Sequence, residues 1–150
     1  MKIAIAADHA GLDYKMQLVK KLRGLGYVVA DHGTDTDTPS DYPDHAAAIA
    51  LAIQNGKVDR GILICGSAVG VSIAANKLKG IRAGVCHDTY SAHQSVEHDD
   101  TNILCLGQRV IGIELAHDIV TAFLKAVYTR ELRHQKRLEK LFAIENENLK

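Results

Sequence analysis

The sequence predicts a doubly wound α/β fold, in which helices cover both faces of a five-stranded parallel sheet. Short apolar runs alternate with segments of helical period five times, at spacings of roughly 20 to 35 residues, as is typical of parallel sheets. The run at 62–64 is apolar throughout, which indicates a strand buried on both faces. A chain of 150 residues suits one domain. We therefore expect a single three-layer, Rossmann-like domain over residues 1–150 with a helical extension at its C-terminal end.

The predicted elements follow in order from these local patterns. The strands are short and mostly apolar, and we place them at 2–7, 27–30, 62–64, 81–86 and 102–106. The helices have apolar residues three or four positions apart, and we place them at 12–25, 43–55, from 69 onward, 89–97, 114–127 and 131–144. In the first helix, the apolar residues that recur at helical spacing are Leu12, Met16, Val19 and Leu22. Gly26 ends that helix, Pro43 suits the first turn of the second, and the long polar loop at 31–43 before it suggests a functional role.

Charge and composition argue against several functional classes. The chain carries 18 basic and 18 acidic residues, which offers no electrostatic case for binding nucleic acid. Five Tyr and two Phe, without Trp, are few for a base-stacking platform. No apolar stretch approaches the ~20 residues of a membrane span, and Asp8 and His9 interrupt the apolar start, so we expect a cytoplasmic protein without a signal peptide. Three cysteines outside any C-x-x-C pair suggest reduced thiols rather than disulfides or zinc.

The segment at 60–80 carries the strongest functional signal. Its strand stops at Cys65, Gly66 and Ser67, and a helical pattern begins near Val69. A thiol and a hydroxyl therefore stand at the carboxyl end of a strand and the amino end of a helix, where open α/β sheets bind ligands. Free N–H groups at such a position favour an anion. Taken alone, however, such a cysteine is as often a small core residue, and Gly-Ser is often only a turn.

Parallel topology brings the carboxyl ends of all strands to one edge of the sheet. We expect the polar residues of four segments to lie at this edge, namely 8–9, 65–67, 87–88 and 107–109. The fourth helix ends near His98 at the opposite edge, so a catalytic His98 would have to serve a neighbouring subunit. We interpret four other histidines as solvated or structural side chains without a catalytic role, namely His32, His45, His93 and His117. His87 is left undecided.

Motifs of other enzyme classes are missing from the sequence. No P-loop occurs, no G-x-G-x-x-G follows the first strand, and no G-x-S-x-G elbow marks a hydrolase. No H-x-x-x-H pair is placed on a helix, so we predict no metal site.

Several motifs occur together in a characteristic order between residue 2 and about residue 145. They are 8–11, 41–43, 61–67, 73–77, 80–83, His98, 101–102, 106–107, Arg109 and 133–135. Together they resemble the ribose-5-phosphate isomerase B family, within the wider ribose/galactose sugar-phosphate isomerases. The resemblance implies an aldose–ketose isomerase that acts on a sugar phosphate without metal or cofactor. It also implies a homodimer with shared sites, and whether dimers pair into tetramers is left open.

The resemblance further implies roles for individual residues. Cys65 would be the base that moves a proton between C2 and C1 of the sugar. Ser67 and the loop amides from Gly66 to Gly70 would hold the enediolate, and His98 of a partner subunit would assist ring opening. The implied phosphate ligands are His9, Arg133 and Arg137, with Arg109 contributed across the dimer. The implied sugar contacts are Asp8 and Tyr42.

Two positions depart from the family pattern, which commonly has Gly in place of Ala68 and Asn in place of Asp99. A β-carbon at residue 68 restricts the backbone if the loop needs a positive φ there. A carboxylate only accepts hydrogen bonds, whereas an amide also donates them. We therefore include Asp99 among the substrate-binding residues, where it would shift the preference among sugars or assist ring opening.

Three hypotheses follow. The leading one is interconversion of ribose 5-phosphate and ribulose 5-phosphate. The second changes the sugar to a six-carbon aldose phosphate such as allose or galactose 6-phosphate. The third is a non-catalytic α/β module that senses a phosphorylated metabolite or nucleotide, and it predicts phosphate binding without exchange of the C2 proton.

Overall fold

The computed structural model describes residues 1–149 and contains one five-stranded sheet. The strands are β1 (Lys2–Ala7), β2 (Val28–Asp31), β3 (Arg60–Cys65), β4 (Ala83–Val85) and β5 (Ile103–Gly107). They lie in the order β2-β1-β3-β5-β4, and every neighbouring pair is parallel. The helices are α1 (Leu12–Gly24), α2 (Tyr42–Gln54), α3 (Val69–Ala75), α4 (Thr89–Asp99), α5 (Ile113–Lys125) and α6 (Leu132–Asn148). This architecture confirms the predicted α/β fold.

Helices cover both faces of the sheet and create two apolar layers. One layer packs α1, α4 and α5 on side chains such as Ile5, Ile64 and Leu106. The other packs α2 and α3 on side chains such as Leu63 and Ile103. Successive residues of a strand point to opposite faces, so β3 and β5, buried on both sides, are apolar without alternation.

The buried stripe of α1 differs from the prediction. Met16 is exposed, whereas Lys15 is 1% exposed and shares the inner face with Leu18 and Leu22. The prediction placed Met16 in the stripe because it is apolar, but the residue that packs against the loop after β2 is Lys15. Burial alone would lower the pKa of the Lys15 ammonium, but hydrogen bonds and attraction to two carboxylates outweigh burial and raise it.

The helices α4 and α6 pack against each other outside the sheet. The backbone N–H of Thr129, just before α6, donates to the carbonyl of Glu97 in α4 at 3.1 Å. Leu138 and His134 form the buried side of α6, while Leu141 and Ile144 remain exposed. The expectation that α6 packs on a partner subunit stays a prediction. Within residues 1–149, none of the helices combines the length and hydropathy needed to cross a membrane.

Candidate active site

The site begins with Cys65 at the carboxyl end of β3. Its side chain points into the layer under α2 and α3 and is only 5% exposed. The next amides turn back on it, and the N–H of Ala68 donates to the Cys65 Sγ at 3.1 Å. The loop therefore directs a main-chain donor at the sulfur.

The loop after Cys65 depends on one left-handed residue. Ala68 has φ 72° and ψ −16°, is fully buried, and caps the amino end of α3. The loop therefore does require a positive φ at the position where the family pattern has Gly. Its Cβ makes that conformation cost roughly 1–2 kcal/mol, and strain of this size is typical of functional loops.

A neighbouring glycine allows the loop to approach β5. Cys65 is paired in register with Gly107, and a β-carbon on Gly107 would lie 2.9 Å from the backbone carbon of Ser67. The backbone N–H of Arg109 then donates to the carbonyl of Gly66 at 3.1 Å. The two loops at the carboxyl edge are thus held together by main-chain contacts.

A cavity of about 420 Å³ opens at this edge, and we call it the Cys65 pocket. Eight of the predicted site residues line it, namely Asp8, His9, Tyr42, Cys65, Gly66, Ser67, Gly70 and Arg109. Ala10 and Val110 complete the lining. The arrangement combines a thiol, a hydroxyl, a carboxylate and a guanidinium in a concave space, as expected of a small-molecule site.

Arg109 belongs to this pocket through its own chain. Its guanidinium carbon would lie 3.6 Å from a β-carbon on Gly66. The structure therefore places Arg109 at the Cys65 pocket of its own chain, whereas the resemblance implied a contribution across the dimer, which stays a prediction. Arg109 follows β5 directly, and β5 pairs with β3, so both loops reach the same edge.

Tyr42 reaches the pocket because residue 70 has no side chain. A β-carbon on Gly70 would lie 2.9 Å from Cζ of the Tyr42 ring. Tyr42 begins α2, and Pro43 occupies the first turn of that helix, as predicted. The close approach places an aromatic ring over the start of α3.

Asp8 is held within its own turn, and His9 is held by the loop at 32–41. The carboxylate of Asp8 accepts from the backbone N–H of Ala10 at 2.9 Å and is almost fully buried. The N–H of Ser40 donates to Nδ1 of His9 at 3.3 Å. A neutral His9 therefore carries its proton on Nε2, which remains available to donate to a ligand.

The same loop is anchored by Lys15, which the sequence analysis missed. The Lys15 ammonium lies 2.9 Å from a carboxylate oxygen of Asp31 and 2.9 Å from one of Asp35. The N–H of Thr34 donates to the carbonyl of Ala7 at 3.2 Å. The available signal was a lysine three positions before Leu18, within an otherwise apolar helical stripe.

The remaining predicted residues lie at the opposite edge of the sheet. The helix α4 runs back from the carboxyl edge, and the Nε of Arg82, just before β4, donates to the carbonyl of Asp99 at 3.1 Å. There His98 stacks on the buried His134, with ring centroids 4.1 Å apart. We call this group the His98 cluster, made up of His98, Asp99, Arg133, His134 and Arg137.

The two groups of residues cannot meet within one chain. They lie at opposite ends of β3 and β5, which are separated by roughly 15–20 Å at the rise of a parallel strand. Arg133 and Arg137 are exposed, and Arg133 pairs only with Glu131 in the described region, at 2.8 Å. The predicted position of His98 at the far edge is thus confirmed, and it applies equally to Arg133 and Arg137.

The other candidate residues have structural environments. Nε2 of His87 accepts from the N–H of Gly107 at 3.0 Å, which assigns His87 a role in holding β5. Burial raises the pKa of the Cys86 thiol and of the Cys105 thiol, so neither is a competing reactive sulfur. Among residues 1–149, no group of three or more His, Cys, Asp or Glu is arranged to hold a metal ion.

Comparison with known proteins places these features in a family context. Residues 3–141 match the Ribose/Galactose Isomerase family. The chain is similar to "Ribose-5-phosphate isomerase B" of Escherichia coli K12, with 51% identity over 96% of each chain. It is also similar to "D-erythrulose-4-phosphate isomerase" of Pectobacterium atrosepticum, with 45% identity over 85% of each chain.

Solved structures give the same result. The ribose-5-phosphate isomerase B of Clostridium thermocellum superimposes with a TM-score of 0.96 and 48% identity, covering 98% of this chain and 99% of that one. The Mycoplasma genitalium ribose-5-phosphate isomerase B with bound ribulose-5-phosphate superimposes with a TM-score of 0.91 and 39% identity, covering 98% and 97%.

Proposed function

This chain belongs to the ribose/galactose isomerase family, and from that premise we propose that it interconverts ribose 5-phosphate and ribulose 5-phosphate through an enediolate. The observation that carries the proposal is the Cys65 sulfur, which receives an amide hydrogen bond at the floor of a polar pocket. A related protein with ribulose-5-phosphate bound, at 39% identity, supports the choice of sugar.

Cys65 acts as the base in this proposal. The thiolate removes the proton from C2 of the open-chain aldose, and the C–H electron pair forms the C1–C2 double bond as negative charge moves onto the C1 oxygen. A proton then passes from the C2 hydroxyl to the C1 oxygen, and the same thiol returns its proton to C1 as the C2 oxygen becomes the carbonyl, which yields the ketose. One group that takes and returns a proton suits isomerisation, and such catalysis typically contributes 10²–10⁴-fold.

The loop amides and Ser67 stabilise the enediolate. The amides of Ala68 and Val69 already donate within the loop, to Cys65 Sγ at 3.1 Å and to Ser67 Oγ at 3.4 Å. The amides of Gly66, Ser67 and Gly70 are the ones left to face an oxyanion. Each preorganised donor of this kind is worth roughly 3–4 kcal/mol in comparable sites.

The sugar and its phosphate are bound by side chains around the sulfur. Asp8 and Tyr42 contact the hydroxyl groups, while His9 and Arg109 approach from the same chain. The phosphate takes no part in the proton transfer, so its binding energy can hold C1 and C2 against Cys65. Arg133 and Arg137, placed i and i+4 on α6, provide a guanidinium pair suited to a phosphate.

The functional unit in this proposal is a homodimer. Since the His98 cluster cannot reach the Cys65 pocket of its own chain, a partner subunit brings His98, Asp99, Arg133 and Arg137 to that pocket. His98 then assists opening of the sugar ring before proton transfer. In a two-fold symmetric pair, each subunit gives its cluster and receives the other's.

A second candidate keeps the chemistry and changes the sugar. The 45% identical relative named for D-erythrulose 4-phosphate favours a four-carbon substrate, and the family description includes galactose, which favours a six-carbon one. Chain length alters the distance between the reacting carbons and the phosphate. We expect the highest kcat/KM on the five-carbon pair. A higher kcat/KM on a four- or six-carbon sugar phosphate would make that sugar the preferred substrate instead.

The chemical assignment is tested with Cys65→Ala. We expect turnover of ribose 5-phosphate to fall by about 10³-fold, because the base is gone. Cys86→Ala is the matched control, since Cys86 is a second buried thiol outside the pocket, and it should retain activity. A Cys65→Ala variant with most of its turnover would contradict the proposal. Failure of the wild-type protein to exchange the C2 proton of bound sugar phosphate with heavy water would instead support a binding module.

A further inference from the structure

The stacked imidazoles of His98 and His134 are the polar feature that the proposed chemistry leaves unexplained. Their ring centroids are 4.1 Å apart, and the ring planes differ by 20°. His98 comes from the last turn of α4 and His134 from the first turn of α6. The two rings therefore join helices that carry two different parts of the His98 cluster.

His134 is buried without any hydrogen bond to either ring nitrogen in the described region. Its side chain is 1% exposed, and both Nδ1 and Nε2 lack a partner among residues 1–149. The nearest carboxylate oxygen, on Glu131, lies 4.0 Å from Nε2, which is beyond hydrogen-bond distance. Buried polar atoms are nearly always satisfied, so this residue is not explained by hydrogen bonding. Stacking of the His134 ring face on His98 explains why an imidazole occupies this buried position.

His98 is held on a second side as well. The side-chain amide of Gln94, one turn earlier in α4, lies 2.7 Å from Nδ1 of His98. With Nδ1 engaged by Gln94 and one ring face covered by His134, Nε2 is the nitrogen left for a ligand. A fixed hydrogen bond on one nitrogen also fixes which nitrogen carries the proton.

The surroundings keep His134 uncharged. Burial lowers its pKa, and the nearby His98 and Arg133 lower it further, with a smaller contribution from Arg137. Among these charged and titratable neighbours, only Glu131 acts in the opposite direction. An uncharged ring can stack on its neighbour without repulsion whether that neighbour is neutral or protonated.

We propose that His134 is a positioning residue that holds the imidazole of His98 by stacking, so that only Nε2 of His98 takes part in proton transfer during ring opening. This inference rests on the proposed function, in which His98 serves the pocket of a partner subunit. His134 itself touches no reacting atom. Its contribution is to the orientation of His98, which keeps Nδ1 against Gln94 and thereby maintains the tautomer that the Gln94 hydrogen bond selects.

The substitutions His134→Ala and His134→Phe separate stacking from other roles of the residue. Alanine removes the ring, whereas phenylalanine keeps a flat partner and removes the two unsatisfied nitrogens. We expect His134→Ala to lower kcat/KM on ribose 5-phosphate by about tenfold or more, and His134→Phe to retain most of it. His93→Ala is the control, because His93 is an exposed histidine on α4, the helix that carries His98. Thermal melting identifies any variant that fails to fold.

A four-carbon substrate separates positioning from general damage. Erythrose 4-phosphate cannot close a furanose ring, because the oxygen that would close it carries the phosphate. Its isomerisation therefore needs no ring opening, and we expect His134→Ala to change its turnover by less than about twofold. A parallel loss on both substrates would overturn the inference, since it would indicate a structural defect.

Nitrogen-15 spectra of the imidazoles test the inference without any substrate. In the wild-type protein and in His134→Phe, His98 should show two distinct nitrogen shifts of one tautomer, and in His134→Ala the two shifts should move towards a common average. A fixed tautomer in all three proteins would refute the role of His134. The His98→Ala variant separates this inference from the proposed function. If the spectra change as expected but His98→Ala retains full turnover of ribose 5-phosphate, then His134 does position His98, and the proposed role of His98 in ring opening is wrong.

Discussion

The Cys65 pocket and the His98 cluster lie at opposite edges of one sheet and are built in different ways. The Cys65 pocket is shaped by the main chain, through the amide of Ala68 on the sulfur and the close approaches at Gly70 and Gly107. The His98 cluster is made of side chains on two helices, and Arg133 and Arg137 are exposed. The first is therefore a cavity formed within one chain, and the second is a surface that, in the proposed function, acts only against another subunit.

This difference predicts how each region responds to substitution. A change in the Cys65 pocket alters the geometry around the reacting carbons, because backbone segments there are in direct contact. A change at Arg133 or Arg137, the exposed arginines of the His98 cluster, removes a charge and leaves the fold intact. Large losses of substrate binding at unchanged stability are expected from these arginines, and losses of turnover from the pocket.

The largest effect in this comparison is expected for Arg137→Ala. If a partner's phosphate site uses this guanidinium, its loss should raise KM for ribose 5-phosphate by about 10- to 100-fold, since hydrogen bonds between charged groups contribute roughly 1.5–3 kcal/mol. Lys136→Ala is the control, because Lys136 is an exposed cation at the neighbouring position of α6. Equal effects of the two substitutions would mean that only overall charge matters.

A smaller effect is expected for Gly70→Ala. The new β-carbon would lie 2.9 Å from the Tyr42 ring, so the ring must move away from the pocket. We expect kcat/KM to fall by about tenfold, since displacement of a positioning group by about 1 Å has effects of this order or larger. Gly112→Ala should have no effect, because a β-carbon there meets nothing within 4 Å. Unchanged kinetics in Gly70→Ala would remove Tyr42 from the site.

The smallest effect concerns acid stability and belongs to the His98 cluster. Burial, with the charges of His98 and Arg133, holds the pKa of His134 below its ordinary 6.5. The unfolded chain therefore binds a proton at this position at a higher pH than the folded one does. The stability contribution is complete above pH 6.5 and is lost as the pH falls from there through the folded pKa. Urea unfolding at pH 7.5 and pH 5.5 should show this loss in the wild-type protein and a smaller loss in His134→Phe. An identical loss in both proteins would contradict the assignment.

The sequence was sufficient for those features that depend on local pattern and parallel topology. The apolar run before Cys65 located β3, and the rule that parallel strands end at one edge brought Asp8, Cys65 and Arg109 together. The same rule placed His98 at the far edge. It did not reveal that Arg133 and Arg137 accompany His98, because the direction of the last helix depends on its packing against α4.

The features that escaped prediction depend on long-range packing. Lys15 is buried because the loop after β2 brings Asp31 and Asp35 to its ammonium. The helical pattern of α1 shows a lysine within an apolar stripe, but it does not indicate which carboxylates that lysine meets. The stack of His98 on His134 joins residues that are far apart in sequence. The sequence indicates only that Ala68 would restrict a loop with a positive φ, and the backbone geometry shows that Ala68 has this left-handed conformation.

Mixed dimers of Cys65→Ala and His98→Ala subunits test most directly whether each site is shared between two chains. The two chains are co-expressed with different tags, and the heterodimer is isolated by two successive affinity steps. Each heterodimer then has one site with both substitutions and one site with neither, so its activity should reach about half that of the wild-type dimer. An activity no higher than the mean of the two variant homodimers would contradict the account, because it would place Cys65 and His98 in the same chain's site.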